Sequence, residues 1–222
     1  MPNDFDIKIC GLSTPEAVDA AIYAGATMVG FVFVEGSPRH LTPETAAPLA
    51  ELAKGQVKTV GLFADTSIDD IHAIRRDVHL DHIQIHGRED AATRAALTAA
   101  FPDVLMAKPI AVPADLPSAD EPAPYRWLFD ARAPRKAGPQ GGHGVPFDWG
   151  LLDQYQGAVP FLLAGGLGPD NVADAIERLA KHPQFAGVDV STGVETAPGQ
   201  KDPARIEAFV SAARAARAAF LH

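Results

Sequence analysis

Short β-branched runs alternate with Ala-rich helical stretches along the whole of this chain, and few architectures accept that order: repeated βα units fold into a parallel sheet covered by helices. The pattern predicts strands at 6–10, 27–33, 57–63, 81–86, 104–110, 126–130, 160–164 and 187–191. It predicts helices at 15–24, 43–54, 68–76, 89–100, 169–180 and 203–220. Thr14-Pro15, Thr42-Pro43 and Asp202-Pro203 mark helix starts, because an oxygen-bearing side chain caps the first turn and proline supplies the right φ where no N–H is needed. Two connections break the rhythm. Residues 111–125 are rich in Pro, Ala and Asp, which rules out a long helix, and residues 131–146 are rich in Gly, Pro and basic residues and long for a βα loop. Eight strands in 222 residues favour a closed barrel over an open doubly wound sheet, and the length sits just above the roughly 200 residues such a barrel needs. The expectation is an α/β chain folded as a (β/α)8 TIM barrel, one domain spanning 1–222.

Strand parity sharpens this. Ile7 and Ile9 oppose Lys8 and Cys10; Trp127 and Phe129 oppose Arg126, Leu128 and Asp130; Val188 and Val190 oppose Asp189 and Ser191. Alternation has period two, so each set lines one face. Strands of a parallel sheet covered on both faces read as nearly continuous apolar runs. These do not, and in a barrel the polar set points inward. Buried charges have to be paired or functional, which directs attention to the C-terminal ends of these strands.

Composition narrows the partners. A formal net charge of -9 argues against a nucleic-acid surface, which needs a basic footprint. An acidic protein that binds an anion must instead gather its donors in one place. Cys10 is the single cysteine, so neither an internal disulfide nor a four-thiolate zinc site is available. The N-terminal residues carry no basic region followed by an apolar one, so no signal peptide is visible, and no apolar run approaches the roughly 18 residues that span a bilayer. The expectation is a cytoplasmic protein without a membrane segment.

Several residues at predicted strand ends could carry chemistry. Cys10 closes the first strand ahead of Gly11; a lone cysteine is commonly a small buried hydrophobe, but an ammonium such as that of Lys8 favours the thiolate, the form that accepts a proton. Asp130 closes the sixth strand; it could cap a turn, or serve as a general acid opposite a base, since groups held in different environments can divide those roles. Gly-rich segments follow the sixth, seventh and eighth strands: Gly141-Gly142-His143-Gly144, Ala164-Gly165-Gly166-Leu167 and Ser191-Thr192-Gly193. In barrels of this kind the last two loops commonly cradle a phosphate through backbone N–H groups, which needs no net positive charge. Arg39, in Gly36-Ser37-Pro38-Arg39, is either a solvated loop residue or a clamp on a substrate carboxylate. His82, Gln84 and His86 share one face of the fourth strand, but alternate residues climb through different barrel layers and do not converge on one ion, so no metal is expected.

Taken together and in order, these motifs resemble the phosphoribosylanthranilate isomerases of tryptophan biosynthesis. The likeness runs through Lys8-Ile9-Cys10-Gly11, Gly30-Phe31-Val32-Phe33, Ser37-Pro38-Arg39, Val60-Gly61-Leu62-Phe63, Gln84-Ile85-His86-Gly87 and Leu128-Phe129-Asp130. It continues through the glycine segments and Phe147-Asp148-Trp149 to Asn171-Val172, Val188-Asp189-Val190-Ser191-Thr192-Gly193-Val194-Glu195 and Pro198-Gly199-Gln200-Lys201-Asp202. The resemblance implies an Amadori rearrangement of N-(5'-phosphoribosyl)anthranilate with no cofactor. It implies Cys10 as the base at ribose C2, Asp130 as the acid at the ring oxygen and Arg39 as the holder of the anthranilate carboxylate. Gly142, Gly144, Gly165, Gly166, Ser191, Thr192 and Gly193 would bind the substrate, chiefly its phosphate.

The family's loop six usually reads Gly-Gly-Thr/Ser-Gly, where this chain has His143, and its loop eight Ser-Ser-Gly, where this chain has Thr192. Backbone contacts survive both changes. An indole-glycerol-phosphate synthase-like lyase would be expected to use a catalytic lysine in place of the cysteine–aspartate pair, and a dual-substrate isomerase to use paired aspartates. A non-catalytic phosphosugar-binding barrel would keep loops seven and eight without needing Cys10, Asp130 and Arg39. Ala-rich surfaces such as 212–219 suit a monomer and a homodimer equally.

Overall fold

The structure, a computed structural model, describes residues 5–87, 89–118, 121, 123–131 and 148–220. Eight parallel strands close in chain order: β1 (Asp6–Cys10), β2 (Met28–Val32), β3 (Lys58–Phe63), β4 (His82–Ile85), β5 (Val104–Ile110), β6 (Arg126–Ala131), β7 (Phe161–Leu163) and β8 (Phe185–Val190). β8 pairs back onto β1, with Lys8 opposite Asp189 and Ile9 opposite Val190, so no barrel edge is left unpaired. Helices α1 (Pro15–Ala24), α2 (Pro43–Ala53), α3 (Ile68–Asp77), α4 (Ala91–Ala100), α5 (Val172–Leu179) and α6 (Pro203–Ala219) cover the outside. The (β/α)8 barrel expected from the alternation is therefore present.

Among the described residues, the connection after β5 holds no long helix, as its composition predicts, and carries a 3₁₀ turn at Pro113–Asp115. Residues 132–146, the body of the second irregular connection, lie outside the described residues; a 3₁₀ turn, Trp149–Gln154, precedes β7. All three predicted Pro-initiated helices start where expected: Thr14, Thr42 and Asp202 accept hydrogen bonds from the N–H groups of Ala17, Thr45 and Ala204. Helix α5 starts later than predicted, at Val172. Asn171 accepts from the Gly168 N–H and donates to the Gly166 carbonyl, both at 2.9 Å, which keeps Pro169 in the loop ahead of the helix. A hairpin that periodicity did not predict, β9 (Glu195–Ala197) and β10 (Gln200–Lys201), stands between β8 and α6. Thr14→Ala is expected to lower the unfolding free energy by about 1 kcal/mol through loss of its cap. Urea denaturation checks this, and an unchanged midpoint would show the cap to be idle.

Parity sorts the core into two layers. Ile7, Ile9, Phe31, Trp127, Phe129, Val188 and Val190 face outward into one apolar cluster with the helices. Each such side chain contributes about 1.5–3 kcal/mol on full burial. The inward set of β1, β6 and β8 carries the charged side chains Asp6, Lys8, Arg126 and Asp189, and these are paired. At the N-terminal end Arg126 Nη2 lies 3.1 Å from Asp6 Oδ2, and one layer up Lys8 Nζ donates to Asp189 Oδ1 at 2.7 Å. Cys10 and Asp130 follow in the next layer, at the mouth. Among the described residues no helix is long and apolar enough to cross a membrane.

Candidate active site

Cys10 is buried and lies opposite Gly30 in the β1–β2 ladder. A Cβ on Gly30 would sit 3.0 Å from Cys10 Sγ and 3.4 Å from Lys8 Nζ, so thiol and ammonium share the space that this glycine leaves open. Burial pushes the thiol up from its ordinary value; Lys8 and Lys201 pull against that, and Asp189 adds to it. Lys8 is itself wholly buried. Burial alone would lower it, but Asp189 and Cys10 outweigh that and hold it above the usual lysine range, so it stays an ammonium.

Asp130 closes the inward face of β6, and His86, just past the end of β4, places Nε2 3.3 Å from its Oδ2. Burial pushes the Asp130 carboxyl above the usual carboxylate range, with Asp189 adding to the effect and His86 and Lys8 opposing it. Lys8 and Asp189 thus act on both groups at once. Gly165, at φ 80°, brings the loop after β7 against this carboxyl: a Cβ there would lie 2.5 Å from Asp130 Oδ1 and 2.2 Å from the Ala131 nitrogen. Any side chain at that position would displace the carboxyl.

Arg39 reaches the mouth by crossing over Gly11, where a Cβ would strike its Cδ at 2.5 Å. Its Nε and Nη2 donate to Glu195 Oε1 and Oε2, each at 2.7 Å, and Nη2 also donates to Thr192 Oγ1 at 3.2 Å. Lys201 Nζ donates to Glu195 Oε1 at 2.7 Å, to the Ser191 carbonyl at 2.9 Å and to Ser191 Oγ at 3.1 Å. Burial would raise Glu195, but hydrogen bonds from Arg39 and Lys201 hold it below the usual carboxylate range. The loops after β7 and β8 touch: a Cβ on Gly193 would lie 2.0 Å from the Leu167 oxygen, a distance that excludes any residue but glycine. Gly166 follows Gly165 in the left-handed region, at φ 70°. Thr192 and Gly193 open a 3₁₀ turn, so their N–H groups have no partner within it.

The structure therefore gathers Cys10, Asp130, Arg39, Gly165, Gly166, Ser191, Thr192 and Gly193 at one end of the barrel. Gly142 and Gly144, with His143 between them, lie outside the described residues. His82 sits at the opposite end of β4 from His86, its Nδ1 3.1 Å from the Asp103 carbonyl oxygen and its ring stacked on Tyr125. Sequence reasoning gave no role to Glu195 or Lys201 and missed the contact of His86 with Asp130. The signal available for Glu195 and Lys201 was a carboxylate and an ammonium close behind Gly193, opposite a loop arginine whose charge needs a partner.

A family model described as N-(5'phosphoribosyl)anthranilate (PRA) isomerase matches residues 7–212. The chain is 48% identical over 213 residues to the N-(5'-phosphoribosyl)anthranilate isomerase of Rhodopseudomonas palustris strain BisA53, spanning 95% of this chain and 96% of that one. The crystal structure of TrpF from Jonesia denitrificans superposes with a TM-score of 0.79 at 40% identity, covering 96% of this chain and 98% of that chain. A phosphoribosyl anthranilate isomerase crystallised with reduced 1-(o-carboxyphenylamino)-1-deoxyribulose 5-phosphate superposes with a TM-score of 0.77 at 28% identity, covering 95% and 99%. The family match covers nearly the whole barrel, including every strand that supplies the mouth. The chain belongs to the N-(5'-phosphoribosyl)anthranilate isomerase family.

Proposed function

We infer that this chain converts N-(5'-phosphoribosyl)anthranilate to 1-(2-carboxyphenylamino)-1-deoxyribulose 5-phosphate, the Amadori step of tryptophan biosynthesis. One observation carries the assignment of roles: a carboxyl and a thiol, both pushed up by burial, stand on the inward face at the mouth and share the Lys8–Asp189 pair. A carboxyl that retains its proton is suited to act as an acid, and a thiol beside a fixed ammonium can release its proton to become a base.

Asp130 donates its proton to the furanose ring oxygen as the bond from C1 to that oxygen breaks, and the anthranilate nitrogen lone pair forms the Schiff base. Cys10, as thiolate, removes the proton from C2 to give an enolamine, which tautomerises to the ketone. Every step moves a proton between a side chain and the substrate, so the chemistry asks for no cofactor. Arg39 holds the anthranilate carboxylate. The backbone N–H groups of Gly165, Gly166, Ser191, Thr192 and Gly193 receive the phosphate, which suits a chain of net charge -9. A charged sugar phosphate, which does not cross a membrane unaided, supports a cytoplasmic enzyme, and its proposed assembly is a monomer or a homodimer. The test is a fluorescence assay following consumption of freshly made phosphoribosylanthranilate; folded, purified protein that leaves the substrate to its spontaneous decay would overturn the assignment.

A further inference from the structure

Two buried charged side chains in the mouth have no task in the reaction just described. Glu195 begins β9 and Lys201 ends β10, with side chains 2% and 1% exposed. Withdrawing such ions from water costs several kcal/mol each, and apolar residues of the same volume would often be as stable or more so. Stability alone is therefore a poor explanation for them.

Their geometry supplies a better one. Glu195 takes the side edge of the Arg39 guanidinium, Nε and Nη2, with both of its oxygens. Lys201 holds Glu195 in turn and ties it to Ser191. At the hairpin tip Gly199, at φ 79°, presses against the loop that carries Arg39: a Cβ there would lie 2.3 Å from the Pro38 oxygen. The hairpin thus grips Arg39 at both ends, through its neighbour's backbone and through its guanidinium. Nη1 has no hydrogen bond among the described residues. Of the three charges, two positive and one negative, one positive charge is left for a ligand.

We propose that Glu195, anchored by Lys201, is a positioning residue for the substrate carboxylate: it occupies the side edge of Arg39 and turns the end of the guanidinium, at Nη1, toward the anthranilate. This rests on the assignment of Arg39 as the carboxylate holder. An arginine fixed beforehand loses little rotamer freedom on binding, so the hairpin acts on substrate affinity. An interaction made equally in the ground and transition states shows in KM.

A double-mutant cycle tests this by steady-state kinetics with phosphoribosylanthranilate and a thermal scan of each variant. Glu195→Gln is expected to raise KM about 10-fold, the worth of one charge-assisted hydrogen bond, with a much smaller change in kcat. In the Arg39→Met background the same change is expected to add less than about twofold, because coupled residues do not add. Should Glu195→Gln fail to fold, the charge-balanced Glu195→Gln/Lys201→Met pair carries the cycle. Independent, additive effects on KM overturn the proposal, as does an unchanged KM in Glu195→Gln when Arg39→Met is impaired. An Arg39→Met enzyme with wild-type KM would instead overturn the assignment of Arg39.

Discussion

Asp130→Asn is expected to lower kcat by about 10³-fold, the middle of the range for a general acid, while KM changes little. Asparagine keeps the shape of the side chain between His86 and Gly165 but has no proton to give to a leaving oxygen. The groups proposed to bind the substrate, Arg39 and the glycine loops, are untouched. Stability should move the other way. The Asp130 carboxyl titrates above its unfolded value because burial disfavours its charged form. Its contribution to stability is therefore full below the unfolded value and is lost as pH rises through the raised folded value. Asparagine carries no such pH dependence, so the thermal midpoint of the variant should gain on the wild type as pH climbs through that window. Steady-state kinetics and thermal scans on the same preparations check both. A kcat within tenfold of wild type would move the acid role elsewhere, with His86 the nearest titratable neighbour.

How much of this was legible in the chain depends on whether the signal is local. Period-two alternation placed Lys8, Cys10, Asp130 and Asp189 on the inward face, and the closed barrel put them together at one end. Caps of the Thr-Pro kind located three helix starts, since a cap acts within one turn. Contacts between distant segments carry no such mark. Arg39 and Glu195 lie 156 residues apart, and nothing near either one announces a bidentate pair, so Arg39 read as a solvated loop residue or a carboxylate clamp, with no sign that its side edge is occupied. The β9–β10 hairpin escaped because strands of three and two residues are shorter than any usable period. Pro169 read as the first turn of a helix, but the side-chain bonds of Asn171 hold it in the loop. Gly193 was expected to line a phosphate loop, but the constraint the structure shows, the Leu167 oxygen pressed against it, exists only in the folded barrel.

Cys10→Ser is expected to lower kcat by about 10²–10³-fold and, more tellingly, to remove the rising limb from the dependence of rate on pH. On the proposed roles, the active form of the wild type has Cys10 as thiolate and Asp130 as acid. Burial raises both groups, and a rate that needs a deprotonated base together with a protonated acid is bell-shaped in pH, rising through one value and falling through another. A serine hydroxyl does not titrate in this range. In the variant the only requirement left is that Asp130 hold its proton, so the rate should only fall with pH, without the rising limb of the wild type. A pH profile of kcat for both proteins decides the matter, since loss of packing alone would lower the curve without removing its rising limb. A variant profile parallel to the wild type would take the base role from Cys10.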